Sequence, residues 1–153
     1  ALLNHGKPWS NRTIFLYVNF LIENNRAHRN KALAKAFLIK SVKIQKEKVP
    51  FETYLQELGD AKFVLSPLGN GRDCDRTWEA LLISAVPIIL SSEIDPLFDQ
   101  LPVIIINDWS ELAENILLSY KVSSYNTLVP EVLSGRWWRD KLLSYQNTTI
   151  KIR

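Results

Sequence analysis

The sequence predicts an α/β domain of three Rossmann-like layers, an open and mostly parallel sheet flanked by helices. Three observations carry this expectation. Strand-like and helix-like segments alternate along the whole chain. Several strand segments are continuous apolar runs, as in "PVIII" at 102–106, the pattern of strands buried on both faces. The chain has 153 residues with 46% apolar content, enough for one domain with a full core.

Residues 1–12 are polar with Gly6 and Pro8 and read as a lead-in. "TIFLYVNF" (13–20) is β-branched and aromatic, hence a strand. "RAHRNKALAKAFLIK" (26–40) is rich in helix formers and places apolar residues at 33, 36 and 37 on one face. "SVKIQKEKV" (41–49) alternates imperfectly and reads as a strand. Pro50 opens a helix over "FETYLQELG", which Gly59 stops. "AKFVLSP" (61–67) is the next strand, followed by a turn and a helix at about 74–84. Pro87 marks a break before the strand "PIIL", and "SSEIDPLFDQ" reads as a loop with a short helix. After the 102–106 strand, "DWSELAENILLSYK" (108–121) reads as one helix capped by Asp108 or Ser110. A Ser-rich link leads to a last helix at 129–145, with Trp137 and Trp138 packed on the body, and 146–153 form a tail.

Composition narrows the function classes. A net charge of +3 is too small and too dispersed for a nucleic-acid surface. Lys40 to Lys48 holds four lysines in nine residues but reads as a solvated strand or loop. The single cysteine, Cys74, excludes an internal disulfide, and no apolar run nears the ~20 residues that cross a bilayer, so no membrane contact is expected of this segment. The chain lacks methionine and opens on Ala1, and we read it as a piece of a longer protein with its N-terminal region missing. Two Asn-x-Ser/Thr sequons, at Asn11 and Asn147, are compatible with a secretory location.

The chemistry concentrates in "SPLGNGRDCDRTWEAL" (66–81), between a buried strand and a helix. Gly69 and Gly71, with Asn70 between them, are expected to take positive φ and turn backbone N–H groups inward. The helix that follows adds its positive dipole end, which suits a phosphate. Arg76 in the first turn could fork onto a diphosphate, and Thr77 adds a hydroxyl. Glu79, three residues on, could accept hydrogen bonds from ribose hydroxyls. Read singly, Gly-Asn-Gly is a tight turn and Arg76 with Glu79 a surface pair.

Other readings of the same stretch are weaker. "GNGRDC" approaches the dinucleotide fingerprint, with Glu93 at the distance of its acidic residue, but Cys74 stands where a small third residue belongs. Asp73-Cys74-Asp75 resembles a metal-holding Asp-x-Asp but lies between Arg72 and Arg76, which neutralise it more simply. Ser66 has no visible base partner and no nucleophile elbow around it. His5 and His28 have no partner that the sequence identifies.

Residues 61–112, with "KFVLSPLGNGRDCDRTWEALLISAVPIIL" and "DPLFDQLPVIIINDWSEL", resemble the donor-binding part of exostosin-like glycosyltransferases (glycosyltransferase family 47 and relatives). "FLYVNFLIENNRAHRNKAL" is similar more loosely. The resemblance implies the C-terminal half of a two-domain GT-B enzyme that transfers a sugar with inversion from a nucleoside-diphosphate sugar to a glycan or other hydroxyl acceptor. It implies a donor site at Ser66, Gly69, Gly71, Arg76 and Glu79, with Ser91 and Ser92 after the next strand. Acceptor binding would fall to the missing N-terminal domain, with no metal or other cofactor and a Golgi or secretory location in a eukaryote. The chain departs from the pattern at Asp75, where relatives carry His or Ser, and at Ser84–Ala85, where they carry Gly-Cys. Asp75 would repel a diphosphate unless Arg72 or Arg76 neutralises it. Two further readings stay open: a catalytically decayed binding or scaffold domain of this fold, and an NAD(P)-dependent oxidoreductase domain.

Overall fold

The computed structural model describes residues 5–99, 101–121 and 131–146. Five parallel strands form one sheet in the order β2-β1-β3-β4-β5. They are β1 (Ile14–Val18), β2 (Val42–Ile44), β3 (Ala61–Leu65), β4 (Val86–Leu90) and β5 (Ile104–Ile106). The helices are α1 (Arg26–Ala36), α2 (Phe51–Asp60), α3 (Asp75–Leu82), α4 (Glu114–Ser119) and α5 (Gly135–Gln146). The α/β three-layer expectation therefore holds. No helix among the described residues is long and apolar enough to cross a membrane.

The two-residue period of the strands sorts the core into layers. Leu16, Val18, Phe63, Leu65, Val86 and Ile88 point to the face covered by α1, the 3₁₀ turn at Trp109–Glu111 and α4. Tyr17 and Val64 point to the other face, where Leu55 and Leu58 of α2 and Ala80 of α3 cover them. Ile89 also faces away from the first layer, packing with Leu81 and Phe98.

Several local expectations need correction. The 102–106 run was expected to be a fully buried strand, but β5 is a three-residue strand that among the described residues pairs with β4 alone, at the sheet edge, and Ile105 is 39% exposed. Pro87 does not precede its strand: β4 starts one residue earlier, and Pro87 is its second residue, in register with Val64. In α1 the buried positions are Arg29, Ala32 and Ala36, while Phe37 lies beyond the helix end and is exposed. The 108–121 segment is two pieces: an Asp108–Glu111 capping box closes a 3₁₀ turn, the chain extends at Leu112–Ala113, and α4 restarts. Trp109, Leu112 and Leu117 thereby reach the same core. At the last expected helix, a 3₁₀ turn at Glu131–Leu133 precedes α5, and Trp137 and Trp138 pack edge to face on each other, with Trp138 lining a surface cleft together with Trp78, Leu82 and Leu97 of the body. Most of the Ser-rich link, and the tail beyond Gln146, fall outside the described residues.

Gly59 does not stop α2, which runs on to Asp60. Its missing side chain serves another purpose: an added Cβ would lie 2.0 Å from the His5 carbonyl oxygen. Residues 5–12 are accordingly pinned to the domain, with Lys7 N–H donating to the Gly59 carbonyl at 3.0 Å. Arg12 completes the attachment. Its buried guanidinium donates to the carbonyls of Lys7, Ala61 and Ile83 at 2.8, 2.6 and 2.6 Å. Burial lowers its pKa to about 10, an effect that nearby Asp60 opposes.

The end of α3 is a Schellman motif. Ser84 N–H bonds to the Leu81 carbonyl and Ala85 N–H to the Ala80 carbonyl. Ser84 takes φ 63°, the left-handed conformation that such a helix end requires and that glycine adopts most easily.

Candidate functional site

In the strand order 2-1-3-4-5, β1 and β3 are neighbours, but the helices after them leave to opposite faces. That divergence opens a crevice at the carboxyl ends of the two strands. A cleft of about 460 Å³ lies there. Its walls come from Asn19–Leu21 after β1, Arg29 of α1, Gln45–Val49 after β2, Phe51 and Tyr54 of α2, and Cys74, Asp75, Arg76 and Glu79 at the start of α3.

One end of the cleft is cationic. Arg29 on α1 and Arg76 on α3 hold their guanidinium carbons 5.5 and 5.6 Å from the centre of the Phe20 ring. Among the described residues, neither arginine pairs with a carboxylate. Arg29 is buried and oriented by the Leu21 and Leu68 carbonyls, which accept from its Nη1 and Nε. Burial, and next the charge of Arg76, push the Arg29 pKa below its ordinary value. The Arg76 Nε atom is buried with no hydrogen-bond partner among the described residues, and its Nη1 lies 3.6 Å from Cys74 Sγ. Among the described residues no side chain caps the N-terminus of α3 between these groups and the turn.

The glycine-rich turn is built differently from the expectation. Among the described residues no glycine takes positive φ. Gly69 serves close approach: its carbonyl accepts from Asn25 Nδ2 at 3.0 Å, and a Cβ there would lie 3.0 Å from Arg29 Nη2. Asn25 also caps α1, so one side chain joins that helix start to the turn. Asn70 and Gly71 are exposed, and a Cβ on Gly71 would meet only open space and the Asp73 carbonyl at 3.8 Å.

The remaining expected residues divide into two groups. Arg76, Asp75 and Glu79 line the cleft. Glu79 Oε2 accepts from the Tyr54 hydroxyl, whose pKa is raised by burial and then by Glu79. Ser66, Thr77, Ser91, Ser92 and Arg72 are not in its lining. Ser66 and Thr77 are buried and bonded to each other at 2.9 Å. Asp95 accepts from the Ser91 hydroxyl at 2.6 Å and the Ser92 N–H at 2.9 Å, holding the next 3₁₀ turn. Arg72 pairs with Glu93, so neither neutralises the cleft: the mutual neutralisation expected around Asp73-Cys74-Asp75 does not form. Asp73 instead accepts from Trp78 Nε1 at 2.6 Å, and Asp75 is exposed. Glu93, the acidic residue of the dinucleotide reading, is likewise outside the cleft lining.

Sequence reasoning missed Arg29, Asn19, Gln45 and Tyr54 as cleft residues, and treated Lys46 and Lys48 as part of a solvated stretch although both reach the cleft wall. A signal for Arg29 was present. Each strand at the switch point is followed by a helix with an arginine near its start, Arg29 in α1 and Arg76 in α3. Asn19 and Gln45 carried no such signal, because nothing local marks their convergence. No protein-family model matches the chain, and no curated protein matches it.

Proposed function

We propose that this domain binds the diphosphate and nucleoside of a nucleoside-diphosphate sugar in the β1/β3 cleft. It would thereby act as the donor-binding part of an inverting glycosyltransferase working on a glycan or other hydroxyl acceptor. The observation that carries this reading is the pair of guanidiniums, Arg29 and Arg76, which meet no carboxylate among the described residues, beside a helix N-terminus without a side-chain cap at the sheet's switch point. Two like charges held together without a carboxylate are stabilised by an anion between them. Arg76 and the α3 N–H groups would stabilise the charge that develops on a diphosphate leaving group as the acceptor hydroxyl attacks the anomeric carbon. Glu79, held by Tyr54, is the carboxylate that ribose hydroxyls would meet. The sequence resemblance to exostosin-like glycosyltransferases supports the same reading.

A titration with UDP, GDP and NAD, followed by amide NMR on the protein and on Arg76→Ala, tests it. A nucleoside diphosphate should shift the amides of 66–79, and Arg76→Ala should abolish the response. Binding of none of the three to the folded domain would sink the proposal.

Asp75 favours a second reading, that of a binding or scaffold domain without transferase activity. Its carboxylate lines the cleft with no hydrogen-bond or ion-pair partner among the described residues, so it adds negative charge where a diphosphate would sit. Diphosphate binding that appears only in Asp75→His would select this reading.

A further inference from the structure

A second part of the cleft lining has a fixed hydrogen-bonding polarity. Glu57 on α2 is the source. Its carboxylate can only accept, and it takes bonds from Lys43 Nζ at 2.7 Å, from Gln45 Nε2 at 2.6 and 2.7 Å, and from the Tyr17 hydroxyl at 2.7 Å. The Tyr17 hydroxyl has one proton and gives it to Glu57. Its oxygen must therefore accept from Asn19, whose Nδ2 lies 2.8 Å away. Both amides are thus oriented by chemistry: the NH₂ of Asn19 and the NH₂ of Gln45 face the Glu57 system. Their carbonyl oxygens, Asn19 Oδ1 and Gln45 Oε1, face the other way. Among the described residues neither oxygen has a hydrogen-bond partner, and neither is an enclosed atom. Both residues line the cleft.

We infer that Asn19 and Gln45 form an acceptor pair that selects the nucleoside by its hydrogen-bond donors, and that Glu57 is the positioning residue which holds them so. This rests on the nucleoside-diphosphate reading of the cleft and names the chemistry of its second part. The aromatic rings of Phe51 and Tyr54 line the cleft with the amides, 6.0 Å apart at their centres, and offer a stacking surface for a base. In uracil and guanine nucleotides, the donors that match two outward carbonyls are the imide or lactam N–H of the base, joined in guanine by its exocyclic amine, or the hydroxyls of ribose. A carbonyl that a bound ligand covers loses its water and stays unpaired when the ligand lacks the donor, which makes such a pair selective.

The experiment measures affinities of UDP and GDP against two kinds of analogue. One set is methylated at the base N–H, N3 of uracil or N1 of guanine, and the other carries 2′,3′-dideoxyribose. Inorganic pyrophosphate serves as a control that reports the arginine end alone. The parent should bind about tenfold tighter than at least one analogue, the methylated base or the dideoxyribose identifying the donor used. Asn19→Ala, Gln45→Ala and Glu57→Gln should each shrink that ratio toward one while pyrophosphate binding stays unchanged. A merely structural role for Glu57 would weaken parent, analogue and pyrophosphate together. Equal affinity for parent and both analogues, with binding still dependent on Arg76, overturns the inference and leaves the diphosphate reading intact. Failure of both UDP and GDP to bind overturns the two together.

Discussion

The Ser66 and Thr77 hydroxyls lie 2.9 Å apart, both buried, and tie the carboxyl end of β3 to the first turn of α3. This bond spans the turn from which Arg76 projects, so it sets the position of the helix start relative to the sheet. Thr77→Val leaves the Ser66 hydroxyl buried without a partner and should cost about 1–3 kcal/mol in urea unfolding. Ser66→Ala combined with Thr77→Val should cost less than the two singles added, since no orphan remains. Additive losses would mean that the two hydroxyls act independently.

Gly59 reverses an ordinary helix rule. Gly→Ala inside a helix gains up to about 1 kcal/mol from propensity alone. Here the new methyl would lie 2.0 Å from the His5 carbonyl oxygen, so the 5–8 segment must move off α2. Gly59→Ala should destabilise the domain by about 1–3 kcal/mol. It should also speed hydrogen exchange at the Lys7 amide, which now donates to Gly59. A variant more stable than the parent would show that this contact does not matter.

Ser84 should yield the opposite result. Its φ of 63° is unfavourable for a residue with a Cβ. Ser84→Gly should raise stability by about 1 kcal/mol, the left-handed strain relieved less the added chain entropy of glycine. Ser84→Val should lower it. Thermal midpoints of the three proteins, with unchanged nucleotide response, check both directions.

Acid should weaken the domain through Asp60 and Glu57. Burial raises the pKa of Asp60, but bonds from Lys7 and Thr13 outweigh it and bring the net value below 3.8. Glu57 behaves alike: burial raises it, and Lys43, Gln45 and Tyr17 bring it below 4.5. For a carboxylate lowered on folding, the unfolded chain binds more protons in the window between the two values. Its stabilising effect is therefore complete above the unfolded value and lost as pH falls through the folded one. Urea midpoints should be flat above about pH 5 and drop below about pH 4. Asp60→Asn should be less stable at neutral pH and show a shallower acid decline. An equal decline in both proteins would remove Asp60 from the cause.

The sequence-level elements were legible where the signal is local. "TIFLYVNF" and "AKFVLSP" contain β1 and β3, and Pro50 marks the residue before α2. The errors share one origin. "PVIII" looks central because it is wholly apolar, but position in a sheet is set by which strands pair, and among the described residues β5 pairs only with β4. Gly69 and Gly71 look like positive-φ residues because that is glycine's commonest use. Gly69 instead yields space to Arg29, forty residues earlier in the chain.

Within the 66–81 stretch, the sequence determined that a charged turn would join a buried strand to a helix, with Arg76 in that helix's first turn. Those features follow from residue type and spacing over a few positions, which is the range of helix and strand periodicity. Only the tertiary structure decided that Arg29 would stand beside Arg76, and that Ser66 and Thr77 would spend their hydroxyls on each other. It also decided that Glu57, Tyr17, Asn19 and Gln45 would form one hydrogen-bonded chain at the cleft. Each convergence requires segments from separate strands and helices to meet in one register. That meeting is set by strand order and by the handed crossovers between strands, which no local pattern of residues encodes.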